Sequence, residues 1–186
     1  RARLQHYVQG KRVLDVFSYV GGWGLQAANA GAAEVTCVDA SKQALDVVVE
    51  AAGMNDLQGP VHCLQGDAFD ALKELKAEQQ RFDVVVVDPP AFIQKRKDIR
   101  KGEQAYERIN QLAMRLLERD GLLVSASCSM HLQRDRLVDI IRGSSRKLDR
   151  QAQIIEQGHQ GPDHPVHPAI PETDYLKSLF VRVLPN

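Results

Sequence analysis

Three acidic residues each follow a strand-like run: Asp39 after Glu34-Val35-Thr36-Cys37-Val38, Asp67 after Val61 to Leu64 and Gln65-Gly66, and Asp88 after Phe82 to Val87. Ahead of them, the apolar run Val13-Leu14-Asp15-Val16-Phe17 opens into a turn with Gly21, Gly22 and Gly24, where backbone can approach a ligand closely. A carboxylate accepts hydrogen bonds and both ribose hydroxyls donate them, so an acid about 20 residues beyond a glycine turn suits a nucleoside. Capping of the next helix would explain any one of these acids equally well. Three in register with a glycine turn favour a binding site.

The dinucleotide fingerprint Gly-x-Gly-x-x-Gly is incomplete, because the window Tyr19 to Gly24 has glycine only at the second and third of its places. No Gly-Lys-Ser/Thr phosphate loop is present. Asp88-Pro89-Pro90 is more specific: two consecutive prolines hold an extended loop whose carbonyls stay free to meet a planar ligand, although prolines also simply stop strands.

These residues need a scaffold, and the hydrophobic pattern supplies one. Strands over 13–17, 34–38, 61–64, 82–87 and 122–127 alternate with helices over 25–30, 42–52, a segment ending near 80, 103–118 and 135–147. Gly31 and Gly121 read as helix stops, and Ser41 as an N-cap. Residues 152–156 and 176–183 read as later strands, with a Gly/Pro/His-rich loop over 158–171 between them. Such alternation means an α/β domain with a mostly parallel sheet and helices on both faces. The chain of 186 residues, 44% apolar, suits one domain.

Lys+Arg and Asp+Glu balance at 24 each, so no overall basic field announces a nucleic acid. Lys95-Arg96-Lys97 with Arg100-Lys101 is a local basic run that either grips phosphates or is merely solvated. Cys37, Cys63 and Cys128 form neither a disulfide framework nor a zinc motif, and His164 and His167 lack metal-ligand spacing. No metal is expected, no apolar run reaches the roughly 18 residues of a membrane span, and a reducing cytoplasm is the expected compartment.

Taken together, Val13-Leu14-Asp15-Val16-Phe17-Ser18-Tyr19-Val20-Gly21-Gly22, Asp88-Pro89-Pro90-Ala91-Phe92, Ser127-Cys128-Ser129, Asp163-His164-Pro165-Val166 and Tyr175-Leu176-Lys177 resemble a known group. They are similar to class I S-adenosylmethionine-dependent methyltransferases, and within these to bacterial 23S rRNA (cytosine-C5)-methyltransferases. The resemblance implies a Rossmann-like, seven-stranded sheet whose last strand is antiparallel. It places the cofactor S-adenosylmethionine on Phe17, Ser18, Tyr19, Gly21 and Gly22, with Asp39 and Ala40 at the ribose, Asp67 and Ala68 at the adenine, and Asp88 and Pro89 also at the cofactor, Asp88 between it and the target base. Pro90, Phe92, Lys95 and Arg96 are the implied substrate contacts, and large-subunit rRNA the implied partner.

By the same resemblance Cys128 is the nucleophile. A cytosine ring carbon is a poor nucleophile, and thiolate addition to its neighbour makes it reactive enough to take a methyl group. Asp88 is the implied stabiliser of that adduct. The thiol needs a lowered pKa, and the nearest cation in sequence is His131. Cys37 and Cys63 read as small core hydrophobes. Members of the group also carry an N-terminal RNA-binding PUA domain, so residues 1–186 are expected to be the C-terminal methyltransferase domain of a longer protein, and a homodimer stays open. The alternatives are a methyltransferase acting on another base or a small molecule without a covalent adduct, a nicotinamide-dependent oxidoreductase, and a scaffold with a dead site.

Overall fold

The computed structural model describes residues 1–55, 57 and 59–186. Its strands are β1 (Arg12–Val16), β2 (Glu34–Asp39), β3 (Val61–Gln65), β4 (Phe82–Val87), β5 (Leu117–Ser127), β6 (Arg150–Gly158) and β7 (Lys177–Pro185). Among the described residues they make one seven-stranded sheet of order β3-β2-β1-β4-β5-β7-β6. The first five strands run parallel, whereas β7 is antiparallel to both β5 and β6. The chain leaves β1 for β2 on one side and later returns to β4 on the other, so the crevice for a ligand lies at the carboxyl ends of β1 and β4.

Alternation along the central strands separates two cores. Leu14, Val16, Val85, Val87 and Leu123 face α3 (Ala68–Ala77), α4 (Ile99–Leu116) and α5 (Arg134–Lys147). Val13, Val35, Val84, Val86 and Val124 face α1 (Gly24–Asn29) and α2 (Lys42–Met54). A 3-10 helix over Ala2–Tyr7 joins this second core through the buried Leu4. Burial on both faces explains why β4 is an almost unbroken run of valines. Ser41 caps α2 by accepting from the Ala44 amide at 3.2 Å. Among the described residues no helix is long and apolar enough to cross a membrane.

Strands β5 and β6 are longer than the sequence reading, and two further differences turn on glycines. Helix α4 starts at Ile99, not near Glu103, because a 3-10 turn over Arg96–Asp98 feeds straight into it. The early start places Gly102 inside the first turns, where α4 meets the loop after β4: a Cβ there would lie 2.2 Å from Ile93 Cγ1 and 2.9 Å from the Phe92 carbonyl oxygen. Gly121 does not stop the helix, which ends at Leu116; it lies within β5, after Asp120 has taken φ 66 and where the β4 pairing slips in register. Close approach is the reason for glycine here, since a Cβ would come 3.1 Å from the Asp83 carbonyl oxygen.

The tight seat of Gly102 yields a test. Gly102→Ala gains helix propensity yet forces Ile93 and backbone apart, so the variant should lose about 1–3 kcal/mol, read as a lower urea midpoint with unchanged slope.

Candidate active site

The turn after β1 is held in a conformation that side chains seldom adopt. Phe17 and Tyr19 have φ 64 and 50, and Gly21 has φ 80. Left-handed backbone at two non-glycine residues costs about 1–3 kcal/mol each. Their partners hold it there: the Ser18 amide donates to the Val38 carbonyl at 3.0 Å and the Gly21 amide to the Ser18 carbonyl at 2.8 Å. The Tyr19 amide donates to Asp39 Oδ2 at 2.8 Å, and Asp39 Oδ1 accepts from the Ser41 amide at 2.9 Å. Each carboxylate oxygen keeps a further lone pair, so Asp39 can brace the turn and still accept from ribose hydroxyls. Ala40 beside it is exposed.

Asp67 is the N-cap of α3, its Oδ1 accepting from the Phe69 and Asp70 amides at 2.9 and 3.2 Å. The capping explanation therefore holds for this acid, with both bonds on one oxygen. Ala68 is buried behind it. Asp88 has a partner that the sequence reading missed: Trp23 donates its indole Nε1–H to Asp88 Oδ2 at 2.8 Å. Trp23 is the single tryptophan of the chain and lies inside the glycine turn, which was the available signal. It ties the turn after β1 to the Asp-Pro-Pro loop after β4.

Asp15 was also missed. It is fully buried within β1, with Oδ2 accepting from the Gly24 amide at 2.8 Å and Oδ1 without a partner among the described residues. Burial pushes its pKa up to about 7; the Gly24 amide and Arg1 oppose this, and Asp88 and Asp39 add to it. A lone acid inside a buried strand run was its signal.

At the other side of the site, Ser127 and Ser129 are buried and both hydroxyls meet the Tyr106 phenol of α4, at 2.9 and 3.2 Å. Ser129 Oγ also donates to the Ile93 carbonyl at 3.3 Å and accepts from the Ile93 amide at 3.2 Å. Cys128 between them is half-buried, its Sγ 4.0 Å from the Pro89 carbonyl oxygen. Burial first, then the charge of Asp88, raises the thiol pKa, while Lys177 pulls it the other way. Cys37 is buried, and its thiol is pushed further up by burial.

Lys177 is a third residue the sequence reading missed. Only 5% exposed, it donates from Nζ to the carbonyls of Ser129 and Leu132 at 2.7 and 2.6 Å. Burial lowers its pKa to about 8. His131, the cation nearest in sequence, is half-buried between Met130 and Leu132.

A cavity of about 400 Å³ opens beside Asp88, walled by Trp23, Ala126, Tyr175 and Ser178 and by the loop over 159–164. That loop is built around the buried Gln160, which donates to the His164 carbonyl at 3.2 Å and accepts from the Leu176 amide at 3.2 Å. Pro89 is buried and Pro90 exposed. Phe92 packs on Tyr106 at 4.9 Å and near Phe17 and Phe69, and does not line this cavity. Lys95 and Arg96 are exposed, Arg96 on a separate open groove shared with His131, His167, Glu172 and Asp174. The basic run and the Asp88 cavity are thus distinct surfaces.

The strand order, with antiparallel β7 inserted between β5 and β6, departs from the dinucleotide order and is that of class I S-adenosylmethionine-dependent methyltransferases. The chain belongs to the family described as Conserved hypothetical protein 95, whose model matches residues 2–146. It is 38% identical over 184 residues to the ribosomal RNA large subunit methyltransferase I of Shewanella frigidimarina, covering 98% of this chain and 46% of the relative. The enzyme of the same name from Aeromonas salmonicida is 38% identical over 183 residues, again 98% of this chain and 46% of the relative. The chain therefore spans about half the length of the curated relatives it matches. Among solved structures, SMU.776 complexed with SAH superposes with a TM-score of 0.83 at 20% identity, over 97% of this chain and 48% of that one.

Asp15 generates a pH prediction. Its folded pKa, about 7, exceeds the unfolded value near 3.9, so between them the folded protein binds more protons and stability falls as pH rises. Asp15→Asn keeps an acceptor for Gly24 and removes this titration. Urea unfolding from pH 5 to 8 should show a stability loss in the parent, relative to the variant, of about 2–3 kcal/mol; parallel pH profiles would exclude the buried charge as its source.

Proposed function

We propose that residues 1–186 form a methyl-transfer domain that uses S-adenosylmethionine to methylate C5 of a cytosine in large-subunit rRNA through a covalent Cys128 adduct. The observation that carries this reading is the half-buried thiol held beside the Pro89 carbonyl by a serine on either side. The rRNA large subunit methyltransferases similar over nearly the whole chain support the substrate class.

When bound, S-adenosylmethionine supplies a sulfonium methyl group. The strained turn 17–22 and Asp39 offer backbone and carboxylate acceptors for its amino acid and ribose parts, with Ala40, Asp67 and Ala68 at the adenine side. Cys128 Sγ adds to C6 of the cytosine, C5 takes the methyl group, a base removes the C5 proton, and the Sγ–C6 bond then breaks to restore the thiolate. Asp88, oriented by Trp23, lines the cavity, with Cys128 outside its walls, and would accept a hydrogen bond from the edge of a ring held between the two. Pro89 and Pro90 fix the height of that loop, Phe92 holds it from behind, and Lys95 and Arg96 would meet phosphates outside the cavity. The open thiol chemistry suits a reducing cytoplasm. One observation favours a second reading, methyl transfer without an adduct: burial and Asp88 both hold the Cys128 thiol toward its protonated form.

Cys128→Ala separates the two. Covalent catalysis predicts loss of methyl incorporation into 23S rRNA by about 10³-fold or more, with S-adenosylmethionine affinity by calorimetry nearly unchanged. RNA carrying 5-fluorocytosine should become covalently trapped by the parent and not by the variant. Undiminished turnover in the variant would remove Cys128 as nucleophile.

A further inference from the structure

A buried lysine is rare, because taking an ammonium out of water is unfavourable unless its charge is used. Lys177 is such a lysine, and both of its hydrogen bonds go to backbone carbonyls, not to a carboxylate. Neutral donors could satisfy two carbonyls without the desolvation penalty, so hydrogen bonding alone does not explain a charge at this position. The two carbonyls belong to Ser129 and Leu132, which bracket the turn leaving β5 immediately after Cys128. Strand register puts Lys177 directly opposite Ser127. Lys177 is therefore tied to both sequence neighbours of Cys128: its backbone pairs with Ser127, and its ammonium donates to the Ser129 carbonyl.

We propose that Lys177 is a positioning residue for Cys128, fixing the turn that carries the thiol and supplying the positive charge that favours its thiolate. The proposal rests on Cys128 being the reacting thiol and deepens that reading of the site. Interaction between the two groups is mutual: Lys177 draws the thiol toward ionisation, and Cys128 holds the ammonium toward its charged form. The other charges facing the pair are Arg134 at the start of α5, which opposes the ammonium, Asp174 ahead of β7, which supports it, and Asp88, which opposes the thiolate. Lys177 is the cation that offsets Asp88, a role that neither neighbour of Cys128 in sequence can fill.

Alkylation of the intact protein by iodoacetamide tests this without RNA or cofactor. The Cys128 rate is followed from pH 6 to 10 by peptide mass mapping, which separates it from Cys63. Lys177→Gln keeps donors toward the carbonyls and removes the charge; Cys128 alkylation should be about tenfold slower than in the parent at pH 7, where the lysine is charged, and the difference should close above pH 8 as the parent lysine loses its proton. Lys177→Arg should keep the parent rate at pH 7. A purely structural lysine would change the rate by the same factor at every pH, and that result would overturn the proposal. Reciprocity gives a second measurement that needs no Lys177 variant: in Cys128→Ala the Lys177 titration, followed by NMR of labelled lysine, should move down. An unmoved Lys177 titration would overturn the proposal as well. If Cys128→Ala retained methyl transfer while alkylation of the parent below pH 8 still responded to Lys177, the nucleophile reading would fall and the coupling would stand.

Discussion

Everything at the carboxyl edge of the sheet depends on how the chain leaves β5. Ser127 and Ser129 both turn their hydroxyls to the Tyr106 phenol, and residues two apart on an extended strand share a face. Cys128 between them is thereby directed to the other face, where the paired prolines end β4. Three buried hydroxyls in mutual contact leave little freedom: breaking one bond would strand a polar group in the core, at a cost of about 1–3 kcal/mol. The same Ser129 hydroxyl exchanges bonds with both the amide and the carbonyl of Ile93, so the loop after β4 and the turn after β5 move as one piece.

A second tie crosses the switch point. The Trp23 indole reaches Asp88, and Asp39 holds the Tyr19 amide, so the turn after β1 is attached to the ends of both neighbouring strands. The strained left-handed backbone of Phe17 and Tyr19 persists because these bonds over-determine it. A ligand docking at this turn would meet a surface already arranged, with little ordering entropy left to lose on binding.

Much of this was legible in the sequence wherever the signal is local. The valine run of β4, the Ser41 cap and the glycine turn with Asp39 beyond it each announce themselves within a short window, and each stands where those patterns put it. The start of α4 was hidden because Gly102 weakens helix propensity while serving a close contact that only the folded chain reveals. Gly121 misled for the same reason: its glycine answers to β4 and Leu117, not to a helix end. Lys177 could not be read at all. Its partner Ser129 is 48 positions away, and the contact exists only because β7 enters the sheet beside β5 ahead of β6.

Among the described residues, Asp15 and Lys177 stand out as the two buried charges that the interior should not tolerate. Each sits in a central strand, each is held by peptide groups alone, and burial drives each toward its neutral form, Asp15 to about 7 and Lys177 to about 8. An apolar residue of similar size would be no worse for stability at either place, and often better. Local rules that a sequence breaks without gaining stability are where function is to be sought. Both residues lie at the same carboxyl edge, one beneath the glycine turn and one beneath the turn of Cys128. Burial thus brings both pKa values toward neutrality beside the two loops of the candidate site.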